Sequence, residues 1–140
     1  MKPGPNPRRN GPPPVVDTTV PDPPAILTGV ALEVWNATIL RLQQAGTWAR
    51  IDAPAIARYS LLIARWRECE AILAREGRVY KTTNRGATRY YPRPEVAESK
   101  ALSDQLLRLE SAFGMNPASR PKVATNPHPD DELEKFLRGD

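Results

Sequence analysis

The stretch "RVYKTTNRGATRYYPRP", residues 78 to 94, holds Arg78, Lys81, Arg85, Arg89 and Arg93 and no acid. Its local balance of +5 exceeds the +4 of the whole 140-residue chain. Arginine and lysine gathered in this way neutralise phosphates and release the counterions held there, so the chemistry on offer is polyanion binding. The alternative is a solvated surface that keeps the protein soluble.

Bond-making groups are scarce by comparison. The single histidine, His128, sits in the proline-rich run "PKVATNPHPDDE", so neither a histidine-based triad nor a zinc site can be assembled. Cys69 is the only cysteine and shares a helical face with Leu62, Trp66 and Leu73, which reads as a core residue in a reducing compartment. None of the eight glycines precedes a lysine, which excludes a phosphate-binding loop of the GxxxxGK type. Glu68 and Glu70, two apart on a helix, point to different faces and are read as solvated charge. A binding protein without catalytic residue, metal or cofactor is expected, not an enzyme.

The basic stretch must be positioned by helices. Thr28 is placed to cap a first helix carrying Val34, Trp35, Ile39 and Leu42 and stopping at Gly46. Ile51-Asp52-Ala53-Pro54 starts a second, with Asp52 as cap, proline in the first turn, and Ile51 set to staple against the helix behind it. Apolar positions from Ile56 to Leu73 keep the helical period up to Gly77, a run of roughly 36 Å at 1.5 Å per residue. They cover more than one narrow face, which predicts burial of this helix against other subunits. A third helix begins near Pro94-Glu95 and reaches Phe113 through Leu102, Leu106 and Leu109. Between the last two, Asn84-Arg85-Gly86 predicts a hairpin loop and a two-stranded β-ribbon. Beyond Gly114, Asn116-Pro117 restarts a short turn of helix that closes at Arg120. Phe113 would lock this corner into the core and Arg120 would bond the free carbonyls of the helix end; alternatively Arg120 and Lys122 face a neighbour or a phosphate.

Nine of the sixteen prolines fall in the first 24 residues, where proline removes N–H donors and disfavours helix. The layout is therefore a flexible proline-rich basic arm (residues 1–24), a helical core (25–120) with the hairpin insert (78–94), and a flexible tail (121–140). In the tail Asp130, Asp131, Glu132, Glu134 and Asp140 outweigh Lys135 and Arg138, and Leu133, Phe136 and Leu137 recur at three- and four-residue steps on a short acidic amphipathic segment. The fold class is mainly α: three main helices, a small β-hairpin insert, a short C-terminal helix and disordered termini. No run approaches the roughly 18 to 20 apolar residues of a membrane span, and the amino-terminal residues lack the apolar stretch of a signal peptide, so a soluble intracellular protein is expected.

In order and spacing, Trp35, Asp52, Tyr59, Gly77, "YPRPEV" at residues 91 to 96, and Phe113, Gly114, Pro117, Ser119 and Arg120 resemble the small terminase subunit of tailed bacteriophages over about residues 24 to 123. The resemblance implies a DNA-packaging factor without catalytic activity. It would form a homo-oligomeric ring of roughly eight to ten subunits, bind double-stranded viral DNA in the host cytoplasm, and present it to the large terminase subunit, which holds the ATPase and nuclease. On that reading Lys2, Arg8 and Arg9 of the arm and Lys81, Arg85, Arg89 and Arg93 of the ribbon contact DNA, with helix arginines such as Arg58 and Arg65 as alternatives. Leu133, Phe136 and Leu137 would dock on the large subunit; the alternative is a disordered acidic tail that keeps the assembly soluble. Two other functions fit the same residues: a helix-turn-helix transcription regulator, and a purely structural oligomerisation module. The long "AGTWARID" link and the length of the second helix argue against the first.

Overall fold

The computed structural model describes residues 4, 15–126 and 136–139. Helix α1 (Val30–Gln44) is followed by a 3-10 turn (Arg50–Asp52) and helix α2 (Ala53–Glu76). Strands β1 (Val79–Asn84) and β2 (Ala87–Pro92) pair antiparallel, and helix α3 (Pro94–Ala112) leads to a second 3-10 turn (Arg120–Lys122). Residues 136–138 form a short helical turn near the carboxyl end. The chain is mainly helical, and none of its described helices is long and apolar enough to cross a membrane.

α2 is the centre of the body because it packs against both α1 and α3. Trp35, Ile39 and Leu42 of α1 meet Ile56 and Ala57 of α2 in one cluster, joined by Trp48 from the link. A second cluster sets Tyr59 of α2 between Val34 of α1 and Leu106 of α3. Much of the apolar coverage of α2 is thus used within the chain, while Leu62, Ile63, Trp66 and Ile72 are only partly covered by it. Apolar side chains left in solvent include Ile26, Leu40, Ile51 and Leu107, together with those of the ribbon and the carboxyl-terminal turn.

Helix ends follow local chemistry with two corrections. Gly29, not Thr28, occupies the cap position of α1, at φ 54° and ψ −128°, and no side chain caps it. Asp52 does stand at the cap of α2 with proline in the first turn, but its backbone is already helical and its carboxylate bonds no cap N–H. Ile51 is 86% exposed, so it staples nothing; the 3-10 turn that carries it directs it outward. Both α1 and α3 close in the same way. Thr47 N–H donates to Leu42 O and Gly46 N–H to Gln43 O, while Met115 N–H donates to Glu110 O and Gly114 N–H to Ser111 O. Each is a Schellman closure that needs a left-handed glycine, supplied by Gly46 at φ 70° and Gly114 at φ 68°.

The corner after α3 is held by Asn116. Its side-chain carbonyl accepts the Ser119 N–H at 2.8 Å and its amide donates to Ser111 Oγ at 2.9 Å. Phe113 and Met115 pack on the core, as expected for a locked corner, whereas the Arg120 side chain is exposed and reaches no helix-end carbonyl.

Parts of the arm and tail are tied to the body. Trp48 Nε1–H donates to Thr18 O at 3.1 Å, Arg50 N–H to Asp17 O at 2.8 Å, and an Arg50 guanidinium N–H to Thr19 Oγ1 at 2.9 Å. From the other side, the Asn126 amide donates to Trp48 O at 2.8 Å. Residues 17–19 and 126 are therefore bonded to the α1–α2 link. These bonds run between residues far apart in the chain and leave no apolar period to read.

Candidate nucleic-acid interface

The ribbon is built from its turn outward. Arg85 and Gly86 both take positive φ, 51° and 79°, the pairing of a two-residue type I′ hairpin loop whose twist matches the strands. This sets Asn84 opposite Ala87 and carries the register back to Val79 opposite Pro92. Below the strands, Arg93 N–H donates to Arg78 O at 2.9 Å. Tyr80 and Tyr91, directly opposite, stack with ring centroids 5.6 Å apart. All residues of both strands are exposed, so the ribbon stands off the helical body for roughly 20 Å at about 3.3 Å per residue.

Register decides where the cations go. Lys81 is paired with Tyr90 and Arg89 with Thr82, and since successive residues alternate faces, Lys81 and Arg89 lie on opposite faces. Arg85 is at the tip. None of these three makes an ion pair among the described residues. Arg93 differs: its side chain is about three-quarters covered, with one guanidinium nitrogen 4.0 Å from Glu76. It belongs to the ribbon's root.

A cleft of about 780 Å³ opens at that root, lined by Arg93 with Arg78, Lys100, Trp66 and Asp104. Charge composition alone does not single out Lys100 as part of this basic surface. The signal is its spacing, since seven residues from Arg93 is two helical turns and returns Lys100 to the same side of α3.

The remaining candidates separate clearly. Arg65 is committed to α3, bonding Glu98 at 2.6 and 3.1 Å and Glu68 at 2.9 Å; its guanidinium holds the Glu98 carboxyl below the usual range. A phosphate reaching its half-exposed side chain competes with these two carboxylates. Arg58 is exposed and unpaired among the described residues. Lys2, Arg8, Arg9 and Leu133 lie outside the described residues. Phe136 and Leu137 are 82% and 75% exposed. Burial pushes the Cys69 thiol up, as suits a core residue. Among the described residues no group of His, Cys, Asp and Glu is arranged to hold a metal ion.

The family described as phage terminase, small subunit, matches residues 31–130 of the chain. The chain belongs to that family. The matched span takes in α1, α2, α3, the ribbon and the Asn116 corner of this small terminase subunit, so its role is in phage genome packaging. No curated protein and no solved structure matches the chain.

Proposed function

We propose that this small terminase subunit is the non-enzymatic DNA-binding and regulatory part of the packaging machinery: a homo-oligomeric ring that binds double-stranded viral DNA in the host cytoplasm and recruits the large terminase subunit. The observation that carries the reading is the bare basic ribbon, with Lys81 and Arg89 on opposite faces, Arg85 at the tip and no acid among its strands. A two-stranded ribbon is narrow enough for a major groove about 12 Å wide. Entering tip first, it meets a phosphate strand on each face. Lys2, Arg8 and Arg9 of the arm add sequence-independent charge, and Arg93 braces the root. Leu133, Phe136 and Leu137 serve as the large-subunit docking segment. The partly covered Leu62, Ile63, Trp66 and Ile72 of α2, with the exposed Leu40, Ile51 and Leu107, offer apolar surface to neighbours in a ring of roughly eight to ten copies.

A helix-turn-helix reading gains no support, because residues 45–52 separate α1 from a 24-residue α2, where such a unit uses a turn of about three or four residues.

The test is a gel-shift titration of the full chain on viral genome-end fragments and random DNA at two salt concentrations. Changing Lys81, Arg85 and Arg89 together to Ala should weaken binding on both DNAs and reduce the log–log salt slope by about 3, one for each phosphate that is no longer neutralised. An unchanged affinity and slope removes the ribbon from the interface, and light scattering that returns one or two copies removes the ring.

A further inference from the structure

At the opposite end of α2 from the ribbon, a cleft of about 800 Å³ runs between the end of α1 and the corner after α3. Leu42, Phe113, Met115 and Val123 supply its apolar lining, and Arg41 and Arg120 stand beside them. Both arginines are exposed and make no ion pair among the described residues. Thr125, one residue before the Asn126 anchor, also lines the cleft, so the tail departs from its edge. Ten residues on lie Phe136 and Leu137, two large apolar side chains in solvent, preceded by Asp130, Asp131, Glu132 and Glu134.

We infer that the carboxyl-terminal segment of the chain docks into this cleft of its own subunit, with Phe136 and Leu137 on the apolar lining and the acids of residues 130–134 against Arg41 and Arg120. Three observations converge on that occupant. The charges are complementary on balance, since the two exposed arginines outnumber Glu110, the one acid of the lining, whose carboxylate already accepts the Tyr59 hydroxyl. The reach suffices, because ten residues span at most about 35 Å and the cleft begins at the tether's origin. A tether this short also gives the segment an effective concentration in the millimolar range, ahead of any free competitor. Burial of two exposed apolar side chains drives the closure. Capture does not depend on the proposed function, but its consequence does rest on that reading: a docked tail keeps the large-subunit segment covered until a partner with a better groove takes it.

Hydrogen exchange of the full chain, without DNA or large subunit, tests the capture. The peptide covering residues 132–138 should exchange at least about tenfold more slowly than an unstructured peptide. Two double variants should abolish that protection while leaving α2 unchanged: Phe136→Ala with Leu137→Ala, and Arg41→Gln with Arg120→Gln. All four side chains are exposed, so the fold does not depend on them. Exchange of the wild-type tail at the unstructured rate overturns the inference, and so does protection that survives both variants. Protection that disappears on dilution overturns docking within one subunit in favour of a second copy. If the tail is protected but its deletion leaves stimulation of the large-subunit ATPase intact, capture stands and only the docking role falls.

Discussion

A methyl group on Gly114 would lie 2.9 Å from Cγ2 of Val123 and 3.3 Å from its Cβ, at a residue whose φ of 68° already disfavours any side chain. Gly114 closes α3 and lets Val123 lie against the corner, so one residue sets both the end of the helix and the seat of the following segment. Gly114→Ala should cost about 2 kcal/mol of stability, from left-handed strain and steric crowding together. The urea midpoint checks it, and an unchanged midpoint would mean the corner is not packed in solution. Tyr59 gives a second test at this scale. It is 8% exposed, and its hydroxyl donates to Glu110 Oε1 at 3.3 Å. Burial first, and the Glu110 charge second, push its pKa up to about 12. An unfolded tyrosine ionises near pH 10, so between about pH 10 and 12 the unfolded chain has released a proton that the folded chain retains. The contribution is complete below pH 10 and is lost as pH rises towards 12, about 2 to 3 kcal/mol in all. Tyr59→Phe should cost about 1 kcal/mol at pH 8 and flatten the alkaline fall relative to wild type. Denaturation curves at pH 8 and 11 decide it.

At the scale of elements, the three helices are legible in the sequence because each buries a face that repeats at the helical period, and because Gly46, Gly77 and Gly114 stop them. The ribbon is legible because Arg85-Gly86 accepts the positive φ of a two-residue loop. What failed was finer. Asp52 reads as a side-chain cap, but the 3-10 turn before it brings its backbone into helical geometry, and burial raises its carboxyl pKa instead of a cap bond lowering it. Ile51 reads as a staple for the same local reason and fails with it. The candidate site was half legible. Its charge is visible as composition, but which cations share a face depends on register, and a shift of one residue would have brought different side chains together. The pairing of Arg65 could not be read until α3 set Glu98 beside it. An isolated two-stranded ribbon is marginal in water, so the exposed strands, held by the loop, the Tyr80–Tyr91 stack and the Arg93–Arg78 bond, are suited to settle against a partner surface.

For the whole molecule, the organising residue is Trp48, which is 1% exposed and lies in the α1–α2 link rather than on a helix. The arm reaches it through Thr18 and the tail through Asn126, so both leading segments meet the body at one place. The ribbon lies past the other end of α2, and 24 residues of helix put about 36 Å between the two. The Thr18 anchor of the arm and the ribbon cations therefore lie toward opposite ends of α2. Trp48→Phe isolates one of these connections: an aromatic ring is retained in the core while the bond to Thr18 O is removed. The expected cost is about 2 kcal/mol, about one for the part-buried hydrogen bond and about one for the space the smaller ring leaves in the core. Hydrogen exchange in residues 15–20 should rise, and exchange in the ribbon and α3 should stay as in wild type. The salt slope contributed by Lys81, Arg85 and Arg89 should also be unchanged, since the ribbon does not touch the link. If exchange at residues 15–20 is the same in the variant, the arm is held by Arg50 alone, through its bonds to Asp17 and Thr19, and Trp48 serves only the core.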